Sequence, residues 1–198
     1  GFLVFNERTY PNLIRLFGEL QVETALSDMS FSVQSPATEG SARLEWSGSD
    51  LNAVFAQRGN LLRPGFWRML RDLLRFNRLC TTLAEREAEG ELVQPIGDFL
   101  DQHRFSREFR EWYFLPMIGS IWSCPTAQML RFPIATMIRF CHNHGLIQIA
   151  NRPRWFTVRG GARRYVDRIV AGLDDARLAT PVRSIRRLPP AGTPGGGN

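Results

Sequence analysis

The sequence predicts an α+β fold in which a mostly helical middle is flanked by ends that carry strands. Alternating apolar and polar residues mark extended segments near both ends, as at Met29–Val33 and Arg154–Val158. Between residues 50 and 145, apolar residues instead recur every three to four positions, which is typical of amphipathic helices. No internal repeat is present, so the two patterns describe one continuous layout.

Residues 1–49 are predicted to form a short strand, a helix and a β-hairpin. Thr9 is the expected cap of the helix, with Pro11 in the first turn, where proline is well tolerated. The alternating segments Met29–Val33 and Ala42–Trp46 predict the two strands of the hairpin.

Residues 50–145 are predicted to be a helical domain that covers a site. Pro64 opens a long helix, and Ser106 can cap a later one that Pro116 should kink or interrupt, because proline lacks a backbone N–H. Gly145 is the expected stop of the last helix. Shorter helices are predicted at Leu51–Phe55, Ile96–Leu100, Thr126–Leu130 and Ile134–His142.

Residues 146–188 are predicted to return to strands. Leu146–Ile149 and Arg154–Val158 have strand character, and a Gly-Gly turn and a helix then lead to a further strand at Ala179–Ile185. Residues 189–198 are rich in Pro and Gly, and we expect them to be disordered.

The paired glycines Gly160 and Gly161 allow two interpretations. Glycines ahead of a helix let the backbone approach a ligand closely and leave the first N–H groups of the helix free to meet it. The same pair also suits a tight strand-to-helix turn with no ligand. A complete Gly-x-Gly-x-x-Gly motif is absent from this turn.

The segment Trp155–Ile185 resembles the internal Gly-Gly, helix, strand and Pro-Val-x-x-Ile segment of flavin-containing amine oxidoreductases. This superfamily includes monoamine oxidases, protoporphyrinogen oxidase and phytoene desaturases. Gly1–Asn6, Thr9–Leu13, Ile121–Pro125 and Phe140–Leu146 resemble a narrower bacterial branch, described as predicted NAD/FAD-binding, amine-oxidase-like proteins. The matching segments follow one another in the family's order over nearly the whole chain.

The resemblance implies a flavoprotein oxidoreductase with FAD as its cofactor. Such an enzyme oxidises a C–N or C–C bond by hydride transfer to flavin, and a small molecule or a lipid-linked compound would be its substrate. The family's Gly-rich turn for the FAD pyrophosphate and its flavin-closing segment have no counterpart in these 198 residues. We therefore expect a central portion, inactive in isolation. Its end strands would belong to an incomplete FAD-binding α/β sheet, because a lone strand cannot satisfy its own hydrogen bonds.

The resemblance also assigns cofactor contacts. Val182 corresponds to the position whose backbone meets the adenine of FAD, although Pro181–Val182 also suits an ordinary strand start. Gly160 and Gly161 would lie beside the substrate cavity near the flavin. Asn6 would contact the cofactor where the first strand meets its helix.

Five further residues are expected to line the substrate, while the catalytic residues stay unidentified. Tryptophans such as Trp122 and Trp155 are more often core anchors than substrate contacts, and a histidine at a helix end commonly donates to backbone carbonyls. No metal site is expected, because residues two apart on a helix point about 200° from each other. The substrate-lining set is Tyr10, Trp122, His142, His144 and Trp155.

Charge bears on the expected binding partners, and cysteine content bears on the expected redox state of the thiols. All 25 basic residues are arginine and the net charge is +6. However, Arg68, Arg71, Arg75 and Arg78 form a stripe opposite apolar residues, which is typical of a solvated helix face, so no nucleic-acid partner is expected. Three widely spaced cysteines indicate reduced thiols rather than a disulfide framework.

No apolar run is long enough to span a membrane, so we expect a cytoplasmic protein. The sequence does not determine its oligomeric state. An alternative to the enzyme is a non-catalytic helical module that binds a protein or a lipid without flavin. The flavin assignment would lose its basis if the β segments closed a self-sufficient sheet of another topology, with Val182 turned away from any adenine-sized groove.

Overall fold

The computed structural model describes residues 4–36, 43–86, 92–148 and 151–187. Strands occur near both ends of the chain and helices fill the middle, so the predicted α+β class is confirmed. The predicted disordered tail at residues 189–198 lies outside the described residues. None of the helices within the described ranges combines the length and apolar character that crossing a membrane requires.

A three-stranded antiparallel sheet joins the two ends of the chain. Its strands are β1 (Phe5–Asn6), β2 (Thr24–Ser27) and β5 (Trp155–Val158), in the order β1-β5-β2. The end strands thus find partners within the chain, which was not expected, although the edge strands β1 and β2 each pair with a described strand on one side only. Each terminal strand obtains its hydrogen bonds from the opposite end of the same chain.

Helix α1 (Pro11–Glu19) packs on this sheet. Phe17 of α1 lies with Phe5 and Val158 in a small buried cluster. Tyr10, not Thr9, occupies the capping position, and its side chain makes no capping hydrogen bond. The Thr9 hydroxyl donates instead to the Asn143 carbonyl oxygen at 2.9 Å. The predicted cap therefore ties the start of α1 to a distant helix.

The predicted hairpin is confirmed as β3 (Ser32–Ser35) and β4 (Leu44–Ser47). Val33, Leu44 and Trp46 are buried, and they belong to the core of the helices rather than to the small cluster of the sheet. The predicted unit of residues 1–49 therefore contributes to both clusters.

The helical layer has an aromatic core. Ser106 caps its helix as predicted, with its hydroxyl accepting the Phe109 N–H at 3.3 Å. Phe66, Phe76, Phe99, Phe109 and Phe114 are completely buried. The helices are α2 (Leu51–Val54), α3 (Pro64–Glu85), α4 (Ile96–Gln102), α5 (Arg107–Phe109), α6 (Leu115–Trp122), α7 (Thr126–Met129) and α8 (Ile134–Asn143), with a 3-10 turn at Arg58–Leu62.

Pro116 does not end its helix, but the regular α-helical pattern is interrupted just before it. Helices α5 and α6 are joined by a π-helical segment, Arg110–Phe114, whose flanking residues keep helical backbone angles. Since Pro116 has no N–H, the Trp112 carbonyl four residues earlier loses its usual donor. The indole N–H of Trp46 donates to that carbonyl at 3.1 Å. The hairpin thereby supplies the hydrogen bond that proline removes.

Two predicted strands are absent from the C-terminal part. Leu146 and Ile147 form a turn rather than a strand, and Ile149 lies outside the described residues. Within residues 151–187, the segment that contains Val182 is not a strand, and Val182 is 77% exposed. Strand β5 and helix α9 (Arg163–Ala171) follow the prediction.

Candidate functional site

Three of the predicted site residues meet where the sheet faces the end of α8. The Tyr10 hydroxyl lies 3.0 Å from Nε2 of His144. The rings of His144 and Trp155 are nearly parallel, with centroids 6.3 Å apart. Asn6 joins them through the sheet, because it pairs directly with Trp155 in the β1–β5 register. Residues from three distant parts of the chain thus form one group, here called the Tyr10–His144 site.

The end of α8 positions His144. The Leu146 N–H donates to the Cys141 carbonyl at 2.9 Å, and the Gly145 N–H donates to the His142 carbonyl at 3.0 Å. This pair of bonds is a Schellman motif, which requires a left-handed residue after the helix. Gly145 has φ of +67°, and a Cβ there would lie 2.5 Å from Cδ of Pro153. Only glycine fits, so the helix stops with His144 facing the sheet.

The hydrogen bonds of His144 define its tautomer. Nδ1 lies 2.9 Å from the Phe140 carbonyl oxygen, which can only accept. Nδ1 therefore carries a proton, and in the neutral ring Nε2 accepts the Tyr10 O–H. Protonation of the imidazole would reverse the second bond, with Nε2 donating to the phenol oxygen. The pair can hold a proton in either of two arrangements without losing its contact.

An aromatic wall extends from His144 to Trp122. Phe140 stacks on His144 with ring centroids 4.1 Å apart, and Trp122 packs on Phe140 at 4.9 Å. Trp122 thus reaches the site through Phe140, which sequence reasoning did not select. Its place four residues before His144 on a helix was the available signal, because side chains at that spacing share a face.

Asn6 contributes a buried amide at the turn between β1 and α1. The side chain is completely buried, and its Oδ1 accepts the Thr9 N–H at 2.8 Å. Its Nδ2 has no hydrogen-bond partner among the described residues. A buried donor without an acceptor costs about 1–3 kcal/mol. The Tyr10–His144 site therefore includes a polar group that a ligand's acceptor atom would satisfy.

The other predicted residues do not join this group. His142 is half-buried near the end of α8, and no hydrogen bond or ring contact within the described residues links its side chain to Tyr10 or Trp155. Gly160 and Gly161 form the predicted turn, with φ of +78° and +85°. They follow the far end of β5, roughly 16 Å from Trp155 at 3.3 Å per residue.

The residues assigned to FAD do not form one cleft in the described part of the chain. Buried Asn6 suits a contact with a polar ligand edge, and the glycine turn leaves backbone accessible. Val182 does not fit its assigned role, because it lies exposed on a segment that pairs with no described strand. The end strands also pair with each other. Both observations weigh against FAD binding by the described residues alone.

Thiol and metal chemistry find no support at the site. Cys141 is buried one turn before Gly145, and burial raises the pKa of its thiol to about 12, so the thiol stays protonated. Within the described ranges, no group of three potential metal-ligating side chains is close enough to hold an ion.

No protein-family model matches the sequence, and a comparison with curated proteins finds no match either.

Proposed function

We propose that the chain is the central, substrate-covering portion of an FAD-dependent oxidoreductase of the amine-oxidase-like class. The whole enzyme would oxidise a C–N or C–C bond of a small-molecule or lipid-linked substrate, with the flavin accepting the hydride. The observation that carries this proposal is the convergence at the Tyr10–His144 site. Tyr10, which the resemblance selected, and His144 and Trp155, which their residue type selected, lie within hydrogen-bond or stacking distance of one another.

The residues of the site suit an apolar substrate with one polar group. Phe140 and Trp122, both half-buried, offer aromatic surface that would pack against the substrate and keep water away, and buried Trp155 lies behind His144. The phenol of Tyr10 and the imidazole of His144 hold a proton beside that surface. Asn6, fully buried in the same sheet, has an N–H donor for which the described residues supply no acceptor.

The final helix also supports the proposal of a larger protein. Helix α9 has no fully buried residue, and Val166 and Val170, on its apolar stripe, are 44% and 46% exposed. An amphipathic helix normally buries this stripe against another layer. The nucleotide-binding half of a flavoprotein would supply that layer.

A second candidate is a non-catalytic binding module without flavin. Two observations favour it: the end strands pair with each other, and Val182 lies exposed outside any described strand. In this function the Tyr10–His144 site would bind a ligand without redox chemistry.

Flavin content separates the two candidates. The product of the gene that encodes this chain is purified without added cofactor, and its visible absorption is recorded. Near-stoichiometric flavin would support the oxidoreductase, whereas a colourless, folded product would refute it and favour the binding module. The 198-residue chain titrated with FAD serves as a control, and we expect no quenching of flavin fluorescence from it.

A further inference from the structure

An open cavity on the surface of α3 is lined by apolar and polar atoms and includes two arginines. It has a volume of about 520 Å³ and lies between α3, the residues that follow α8, and Arg8 from the turn after β1. This volume falls within the range of roughly 300–1,000 Å³ that small-molecule sites occupy. None of the described residues that line it is acidic. The polar residues of the lining include Arg8, Asn77, Arg78, Thr81 and Gln148.

Two arginines in this cavity have no acidic partner. On the exposed stripe of α3, Arg68 pairs with Glu108 at 2.8 Å, and Arg71 and Arg75 lie 3.8 Å and 3.4 Å from Asp72. The fourth member, Arg78, pairs with no carboxylate in the described ranges. Arg8 also lacks one there, and it donates only to the Gln148 side-chain oxygen at 3.3 Å. The cavity therefore carries two positive charges that the described residues leave uncompensated.

Asn77 adds a buried acceptor to the same cavity. Its side chain is 6% exposed and lines the cavity, yet its Oδ1 has no hydrogen-bond partner in the described part of the chain. Native proteins pair most such buried atoms, and an exception calls for an explanation. A ligand that donates a hydroxyl hydrogen to Oδ1 would provide the missing bond. Thr81, one turn later on α3, offers a hydroxyl that can donate or accept.

We propose that this cavity binds a small phosphate ester that carries a hydroxyl group. A phosphate monoester has a charge of about −1.5 to −2 at neutral pH, which matches two guanidinium groups better than a single carboxylate does. Arginine also binds phosphate oxygens with paired N–H groups. Arg8 and Arg78 would bind the phosphate, and Asn77 would accept the hydroxyl hydrogen. This inference is independent of flavin, because none of its residues was assigned to the cofactor.

The test is isothermal titration calorimetry of the 198-residue chain with three probes: glycerol 3-phosphate, inorganic phosphate and glycerol. We expect glycerol 3-phosphate to bind more tightly than inorganic phosphate, and glycerol not to bind. Arg78→Gln should weaken glycerol 3-phosphate binding at least about tenfold, the size expected for a lost charge-assisted hydrogen bond. Arg71→Gln is the matched control, since it removes the same charge two helical turns away and should change affinity less than about twofold.

Asn77→Leu tests the hydroxyl contact separately. The variant should weaken glycerol 3-phosphate binding about fivefold or more and leave inorganic phosphate binding unchanged, because only the ester offers a hydroxyl to the amide. It also replaces an unpaired buried polar atom with an apolar group of similar size, so the thermal midpoint should not fall. A stable variant with unchanged affinity for both probes would overturn the role of Asn77.

Vesicles distinguish a free ester from a lipid headgroup. Sedimentation with vesicles that contain phosphatidylinositol 4-phosphate, whose headgroup carries a phosphate monoester and free hydroxyls, but not with phosphatidylcholine vesicles, and its loss in Arg78→Gln would identify the headgroup as the source of the ester. Binding of glycerol 3-phosphate without sedimentation would identify a soluble ester. No binding of either kind, or equal losses in Arg78→Gln and Arg71→Gln, would overturn the proposal.

Discussion

Replacing His144 with alanine tests the Tyr10–His144 site directly. The change removes the bond from Tyr10 at 3.0 Å, the bond to the Phe140 carbonyl at 2.9 Å and the stack on the Phe140 ring. Each hydrogen bond contributes about 1 kcal/mol net, and an aromatic pair contributes about 0.5–1.5 kcal/mol. Since His144 is only half-buried, we expect His144→Ala to lower the free energy of unfolding by about 2–3 kcal/mol.

A double-mutant cycle isolates the bond between the two side chains. Tyr10→Phe removes the hydroxyl and keeps the ring, so it should cost about 0.5–1.5 kcal/mol alone and almost nothing once His144 is alanine. Urea unfolding of both single variants and the double variant measures this coupling from the shift in midpoint at constant slope.

His142→Ala is the matched control, since it removes the same side chain two residues earlier. His142 makes no side-chain hydrogen bond or ring contact in the described part of the chain, so the change should be within about 0.5 kcal/mol. Equal effects of His142→Ala and His144→Ala would refute the site. Additive effects of Tyr10→Phe and His144→Ala would refute the hydrogen bond between them.

Three further predictions follow from buried polar and thiol groups. Buried Asp72 accepts the Ser106 N–H at 2.9 Å. Asp72→Ala should therefore lower the free energy of unfolding, measured in urea, by about 2–3 kcal/mol, and Asp72→Asn, which keeps an acceptor, by about 1 kcal/mol. Equal losses in the two variants would contradict the role of this hydrogen bond. A thiol reagent should label exposed Cys124 rapidly in the native chain and buried Cys80 and Cys141 only after denaturation, as mass spectrometry of the labelled peptides would show. Burial raises the pKa of the Cys141 thiol from 9.0 to about 12, so the unfolded chain loses this proton at lower pH than the native chain does. The free energy of unfolding should therefore fall as pH rises from 9 to 12, and it should fall less steeply in Cys141→Ala. The same pH dependence in both proteins would contradict the raised pKa of Cys141.

Local patterns predicted most of the helical layer. The apolar stripe of α3, the Ser106 cap and the glycine stop at Gly145 each depend on residues within one or two turns, and each appears where expected. The hairpin β3–β4 could be predicted equally well, because the alternation of apolar and polar residues in its strands is a local pattern. Hydrophobic periodicity and capping report on neighbouring residues, so they locate elements well.

Contacts between segments that are distant in the sequence could not be predicted from local patterns. The carbonyl freed by Pro116 finds its donor in Trp46, 66 residues before its own residue, Trp112. Nothing near Pro116 in the sequence indicates that donor. The prediction of a kink or an interruption followed from proline's missing N–H; a π segment does interrupt the α-helix there, but the tertiary bond that replaces the lost one could not be predicted.

For the candidate site, too, the sequence identified some residues but not the contacts that bring them together. Tyr10 was selected from the resemblance, and His144 and Trp155 from their residue type, but their meeting depends on the pairing of β1 with β5 and on the turn at Gly145. The resemblance also selected Val182, whose surroundings in the described chain offer no strand to pair with.

The amino-acid order was sufficient for the α+β class, the positions of the helices and the hairpin, because these follow from interactions between near neighbours. Only the folded chain decided that the two ends share one sheet, that Tyr10 reaches His144, and that Arg78, alone in its arginine stripe, lines a cavity with Arg8. The physical reason is that strand hydrogen bonds and charge compensation require a partner, and the identity of a partner remote in the chain is set by packing.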